Sequence, residues 1–239
     1  MKKYEVALIL LGFLSFDNKN LCAQNEGVIT YEITVNNHRN IPLDQQGRKA
    51  MVPQYRTFKQ QLFFNSSGSL YKPLVEEEES EQQAPGRRFR MGAVNYSEPS
   101  AGLFLTQMDV FGKKYLVRDT LKPAPWKFGT ETKVIQGYDC AQAYYTTQDE
   151  RKQTITAWYT AKLPAMLGPE KYNTLPGAVL AVDVNNAERV IVAKKIEIRN
   201  LAKNELTIPQ EGQKVTAEEF KKIMQEQRSQ RGSGERVRN

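Results

Sequence analysis

One histidine and two cysteines in 239 residues remove several kinds of chemistry at the outset. His38 is the only imidazole and lies in the polar stretch Asn36-Asn37-His38-Arg39-Asn40. No multi-histidine metal site can be built from it, and a Ser–His–Asp or Cys–His centre would rest on that one loop residue. Two cysteines do not make a disulfide scaffold. The chain has no Gly-x-Ser-x-Gly elbow, phosphate loop, His-Glu-x-x-His or Cys-x-x-Cys, which are the short motifs that most directly announce a reaction. It also lacks long apolar helical patterns between its β-prone segments, which argues against βαβ units and a parallel sheet.

What is present is ordinary for a globular chain: 40% apolar residues, 26% charged residues and a net charge of +7, in a length that supports one domain with a sizeable core. The positive charge is spread, and no aromatic-interleaved RNA-binding pattern accompanies it, so nucleic acid is not expected as a partner.

Lys2 and Lys3 precede an apolar stretch from Val6 to Phe16, then a polar run, then Leu21-Cys22-Ala23-Gln24. The stretch is too short for a membrane-spanning helix, which needs about 20 apolar residues. With its charged start and a small residue at the end, segment 1–23 reads as a signal peptide cleaved after Ala23. Cys22 follows Asn20-Leu21, a poor context for a lipoprotein. Export would leave Cys140 as the single thiol.

From Asn25 onward, period-two alternation dominates. Val28 to Val35, Thr57 to Phe64, a return from Leu70-Tyr71, Gly102 to Phe111 and Lys114 to Leu121 read as strands. So do Trp126 to Gly129, Thr132 to Thr147 as one or two, Gln153 to Ala161, Ala178 to Val184 and Arg189 to Arg199. Turn signals separate them: Asn65-Ser66-Ser67-Gly68, Gly112-Lys113 and Asn185-Asn186-Ala187. The acidic run Glu76 to Glu81, followed by Arg87, Arg88 and Arg90, has no apolar periodicity and reads as a solvated loop. Thr216 with Glu219 three residues on has the form of a capping box, and Phe220, Ile223 and Met224 follow at helical spacing. The expected organisation is therefore an antiparallel β domain over 24–215, a short amphipathic helix over 216–227 and a disordered basic tail over 228–239. The fold class is mainly β, a single antiparallel, strongly curved sheet of meander or half-barrel form.

One stretch is more specific. Lys133-Val134-Ile135-Gln136-Gly137-Tyr138-Asp139-Cys140 is followed by Ala157-Trp158-Tyr159-Thr160-Ala161-Lys162-Leu163-Pro164. Then come Gly168-Pro169, Tyr172 and Leu175-Pro176-Gly177-Ala178-Val179-Leu180. This order resembles the GLPGLI family of exported proteins of Gram-negative bacterial envelopes, named after its own Leu-Pro-Gly motif. The chain departs from the pattern in having Asn173-Thr174 where the motif opens with Gly, and Ala178-Val179 in place of Leu-Ile. The resemblance implies a compartment, the periplasm or the outer-membrane surface, and a β fold, with no catalytic activity attached.

The expected function is non-enzymatic: a sheet whose concave face, like that of periplasmic lipoprotein carriers, binds a hydrophobic small molecule or a segment of another envelope protein, with peripheral contact to the outer membrane. The alternative is a scaffold or accessory subunit of an outer-membrane complex acting through the sheet surface and the basic tail. Expected ligand-binding residues are Tyr138, Trp158, Tyr159 and Leu175, and the motif residues are Leu175, Pro176 and Gly177. Phe104, Tyr115, Trp126, Tyr144 and Leu180 are further candidates for core or groove. No metal and no cofactor is expected.

Overall fold

The computed structural model describes residues 25–74, 92–110 and 112–235. The expected signal peptide, the Glu76 to Glu81 loop with its arginines and the last four residues lie outside the described residues. Twelve strands form one sheet: β1 (Gly27–Asn36), β2 (Tyr55–Phe64), β3 (Ser69–Pro73), β4 (Val94–Glu98), β5 (Leu103–Val110), β6 (Lys113–Thr120), β7 (Lys127–Ile135), β8 (Tyr138–Thr146), β9 (Thr154–Thr160), β10 (Ala178–Val184), β11 (Arg189–Ile198) and β12 (Gln213–Thr216). One helix, α1 (Ala217–Glu235), follows.

The spatial order is β12-β6-β5-β4-β3-β2-β1-β11-β10-β9-β8-β7, so the sheet is two meanders joined along β1 and β11 and not one continuous meander. The first runs outward from β1 to β6. The chain then passes to the far edge, and β7 to β11 run back until β11 pairs antiparallel with the free side of β1. All pairings are antiparallel except β12, which lies parallel to β6. The separate strands expected from Trp126 and from Thr132 are a single strand, β7, with a register irregularity between Phe128 and Thr132.

Local chemistry accounts for the turns. Gln136 and Gly137 both have positive φ, 50° and 79°, as a two-residue hairpin between right-twisted strands requires. Asn185, Asn186 and Ala187 carry φ of 52°, 52° and 68° between β10 and β11. At the start of α1 the Glu219 amide donates to Thr216 Oγ1 at 3.2 Å and the Thr216 amide donates to Glu219 Oε2 at 2.7 Å, the reciprocal bonds of a capping box. The helix continues to Glu235, past Gln227, so the expected tail is helical over 228–235.

Both faces of the sheet carry apolar rows. On one, Phe58, Ile33, Ile191, Val182, Ala157, Ala143 and Phe128 are successive cross-strand neighbours over seven strands. Tyr31, on this same face, donates its hydroxyl to the Val179 carbonyl at 2.7 Å, reaching past β11 to β10. On the other face Val28, Phe63, Leu70, Tyr96 and Leu105 form a row over β1 to β5, covered by Leu201 and Leu206 from the segment after β11. Arg199 holds that covering segment by two bonds to the Glu205 carboxylate, and the guanidinium keeps the Glu205 carboxyl down at about 2. A third cluster joins Tyr115, Val117 and Val215 to Phe220 and Ile223 of α1.

The first face is covered by the connection between β9 and β10, residues 161–177. Leu163, Leu167, Tyr172 and Leu175 all enter the main core. The Val179 amide donates to the Leu167 carbonyl at 2.8 Å and the Met166 amide to the Leu175 carbonyl at 3.0 Å. Gly177 has a close-packing reason for its identity: a Cβ there would lie 2.2 Å from the Thr160 carbonyl oxygen. Leu175 is 1% exposed, so replacing it with alanine is expected to cost about 2–5 kcal/mol in cavity and transfer terms. Met51, 85% exposed, serves as the control, with an alanine substitution expected to stay within about 0.5 kcal/mol. Urea unfolding midpoints measure both; a Leu175→Ala midpoint equal to that of Met51→Ala would show that the connection does not anchor the core.

Candidate functional site

The sequence-predicted residues do not converge on one cavity. Trp158 and Tyr159 point to opposite faces of β9, as alternation requires. Tyr159 sits opposite Val179 and meets the Phe128 ring edge-on at 6.1 Å on the covered face. Trp158 lies on the other face, opposite Gln142, with the Lys133 ammonium 4.2 Å above its ring. It lines a shallow cleft of about 680 Å³ with Arg39, Glu131, Thr156, Asp183 and Glu188. Leu175 is sealed in the core, and Tyr138 is half-buried against it. Of the further candidates, Leu180 is fully buried, Tyr144 is exposed, and Tyr115 packs against α1 at 5.4 Å from Phe220.

A second cavity, of about 410 Å³, lies where three parts of the chain meet. Phe104 of β5 and Asp119 of β6 form one wall, Tyr145 of β8 with the turn as far as Asp149 forms another, and Lys171, Asn173 and Thr174 of the covering connection complete it with the link Leu121 to Pro125. Its lining mixes rings, hydroxyls, amides and two charges of each sign. Asn173, 2% exposed, donates from Nδ2 to Ser97 Oγ at 3.1 Å, while its Oδ1 has no partner. Thr174 Oγ1 accepts from the Ala124 amide at 3.2 Å and from Trp126 Nε1 at 3.0 Å. Trp126 in turn meets the Tyr145 ring edge-on at 4.6 Å. Among the four residues expected to bind ligand, none lines this cavity. Asn173 and Thr174, just ahead of the Leu175-Pro176-Gly177 motif, do line it.

The connection is also pinned by an ion pair. Arg189 binds both carboxylate oxygens of Glu170. Two buried phenols stand beside it. Burial, with the Glu170 charge as the second cause, raises the Tyr172 hydroxyl to about 12 and holds Tyr71 well above the ordinary phenol range. The Tyr71 hydroxyl has no hydrogen-bond partner. Met166 and Glu170 have positive φ, 59° and 53°, backbone strain that persists only where surrounding contacts enforce it.

The two residues most suited to nucleophile or base work are differently placed. His38 Nε2 lies 2.8 Å from the Val52 carbonyl, in the 3-10 turn Asn37–Asn40 after β1. Cys140 is 1% exposed and close to the Tyr138 carbonyl, and burial followed by the Asp139 charge pushes its thiol up to about 11. Among the described residues, no group of three or more His, Cys, Asp or Glu side chains could hold a metal ion, and no helix is long and apolar enough to cross a membrane.

Residues 147–181 match a family model described as a protein of unknown function, Porph_ging. That stretch contains Trp158, Tyr159 and the Leu175-Pro176-Gly177 motif; the GLPGLI name itself rests on the resemblance. A comparison with curated proteins finds no match. Among solved structures, the chain is similar to PNGF-II in the P21 space group, with a TM-score of 0.58 and 18% identity over 83% of this chain and 33% of that one. PNGF-II in the C2 space group gives a TM-score of 0.57 and 18% identity over 83% of this chain and 32% of that one. The chain thus spans about a third of the length of the solved chains it matches, and at this identity the likeness is one of fold.

The Cys140 environment makes a direct prediction. A thiol raised to about 11 stays protonated at pH 8, where an unperturbed one is partly thiolate, so folded protein should react with Ellman's reagent roughly a hundredfold more slowly than urea-unfolded protein. Equal rates would mean an exposed, activated thiol.

Proposed function

We propose that the protein is a non-enzymatic binding module of the cell envelope, exported to the periplasm or the outer-membrane surface, whose strongly curved sheet presents a cleft to a hydrophobic small molecule or a segment of another envelope protein. The reach of the chain supports the curvature. Strands β6 and β7 stand ten places apart in the sheet order, which in a flat sheet is about 48 Å. The link between them, Leu121 to Trp126, extends at most about 25 Å. Bending the sheet about the 161–177 connection brings its two flanks within that reach.

The observation that carries the reading is the cleft itself: Phe104 of β5 and Tyr145 of β8, eight places apart in the sheet, line the same 410 Å³. That size falls within the usual range of ligand sites, about 300–1,000 Å³. The apolar middle of the covered face is already filled by Leu163, Leu167, Tyr172 and Leu175, so the space offered to a ligand is at the rim and is amphipathic. The protonated, buried Cys140 and the backbone-bound His38 favour binding over catalysis. A scaffold role draws on a different surface, the open face around Trp158, where the Lys133-capped indole and the carboxylates of Glu131, Asp183 and Glu188 line a broad, shallow cleft.

N-phenyl-1-naphthylamine, a neutral amphipathic dye that brightens in apolar surroundings, tests the reading. Saturable, one-to-one enhancement is expected. Ala124→Trp, which fills the cleft, should weaken it at least tenfold, about 1.4 kcal/mol, whereas Trp158→Ala should leave it unchanged. No saturable enhancement, or loss on Trp158→Ala with Ala124→Trp silent, would move the site away from this cleft.

A further inference from the structure

We infer that the connection between β1 and β2, residues 37–54, docks on an anionic lipid surface, with Met51 and Tyr55 at the headgroup boundary and Arg48 and Lys49 on its phosphates. The inference is independent of the cleft, and it begins from length. β1 and β2 are neighbouring antiparallel strands, which about two to five residues suffice to join, yet eighteen residues connect them. Connections this long are uncommon in compact domains and are mostly functional or disordered. This one is ordered, with 3-10 stretches at Asn37–Asn40 and Leu43–Met51. Its base is closed by the Asn37 amide donating to the Gln54 carbonyl at 2.8 Å and by Asn37 Nδ2 donating to the Pro53 carbonyl at 2.9 Å. The His38 ring lies 2.8 Å from the Val52 carbonyl, and Gln46 Nε2 donates to the Ile41 and Pro42 carbonyls at 3.2 and 3.1 Å. The single histidine of the chain is thus a brace for this connection.

What the brace holds outward is apolar and basic. Met51 is 85% exposed, the highest value of any large apolar side chain among the described residues, and Tyr55 is 57% exposed. Gly47, Arg48, Lys49 and Ala50 are exposed as well. An exposed methionine alone means little; one set between a basic pair and a tyrosine on a braced connection carries more. From residue 37 to residue 56 the charges are Arg39, Arg48, Lys49 and Arg56 against Asp44 alone, and the Arg48 guanidinium donates to the neutral Gln45 side chain at 2.8 Å. Neither cavity described above is lined by any residue from 41 to 56, whereas a protein interface is typically built round an anchor side chain seated in a pocket. A fluid surface needs no socket. A flexible thioether chain enters the acyl boundary, a tyrosine ring sits at headgroup level, and long basic chains keep their charges at the phosphates. The excess of basic residues selects an anionic surface over a neutral one.

Sedimentation of the purified protein with sucrose-loaded vesicles tests this. Vesicles of equal parts phosphatidylglycerol and phosphatidylcholine are expected to bind it, and vesicles of phosphatidylcholine alone to bind it about tenfold more weakly or worse. Arg48→Gln combined with Lys49→Gln should weaken binding to the anionic vesicles about tenfold. Met51→Ser, which leaves the charge unchanged, should weaken it about threefold or more. Lys221→Gln combined with Lys222→Gln removes the same charge from the exposed side of α1 and is expected to change binding by less than about twofold, which separates the connection from the general attraction of a basic chain. The tryptophan emission of Met51→Trp, read against the wild-type change, should move to the blue on the anionic vesicles. Equal losses from the two charge-removing pairs, or no blue shift, overturn the assignment. Absence of binding to the anionic vesicles also overturns it and leaves the connection to a protein partner. None of these outcomes touches the cleft, whose dye binding is read separately.

Discussion

The shortness of the link between β6 and β7 governs most of the architecture. Six residues, Leu121 to Trp126, take the chain from one flank of a twelve-stranded sheet to the other, and two of those residues, Pro123 and Pro125, resist any coiling that would shorten their reach further. The sheet has to accommodate the link, and not the reverse. The 161–177 connection packs its leucines on the covered face, and the link itself forms a wall of the cleft. Trp126 ties the two together, since it is held by Thr174 from the connection and by Tyr145 from β8.

On the covered face, apolar and polar contacts divide the task. Leu163, Leu167 and Leu175 give the connection its burial, which is non-directional and would permit several seatings. The Glu170 pair with Arg189 and the Tyr31 bond to the Val179 carbonyl are directional and select one seating. The positive φ of Met166 and Glu170 belongs to the same account: strain is tolerated where leucine burial on both sides and a bidentate ion pair fix the backbone. Unsatisfied buried atoms lie on this covered side as well, at Gln60, Tyr71 and Asn173, so the polar part of the packing is incomplete where the apolar part is complete.

Much of this was legible in the sequence because it is local. Alternation marked β1, β2, β5, β6 and β8 to β11, the Asn185-Asn186-Ala187 turn formed with positive φ at all three positions, and the Thr216–Glu219 box formed as its spacing implies. β4 and β12 escaped notice because five and four residues are too few for a period to declare itself. Strand order was hidden for a different reason. Nothing in Val28 to Val35 states that β1 will be paired on both sides, or that β7, which reads like any other strand, will be an edge; those are outcomes of the whole chain competing for partners. The second core behind β1 to β5 was unreadable until Leu201 and Leu206 were placed over it. Trp158 and Leu175 drew attention as large residues in a marked motif, yet one faces outward and the other is sealed. Asn173 is small and polar, and only its unpaired oxygen distinguishes it.

The two ends of the sheet are finished differently. At one, β12 lies parallel along β6 for only four residues before α1 begins, and Phe220 and Ile223 pack back over Tyr115 and Val117. At the other, β7 has a broken register between Phe128 and Thr132 and charged residues Lys127, Glu131 and Lys133 along its length. Short terminal strands, irregular register and edge lysines are the features that stop one sheet from templating the next. An open sheet of twelve strands would otherwise be an efficient seed for end-to-end polymerisation, and resistance to it falls to these few residues at the margins.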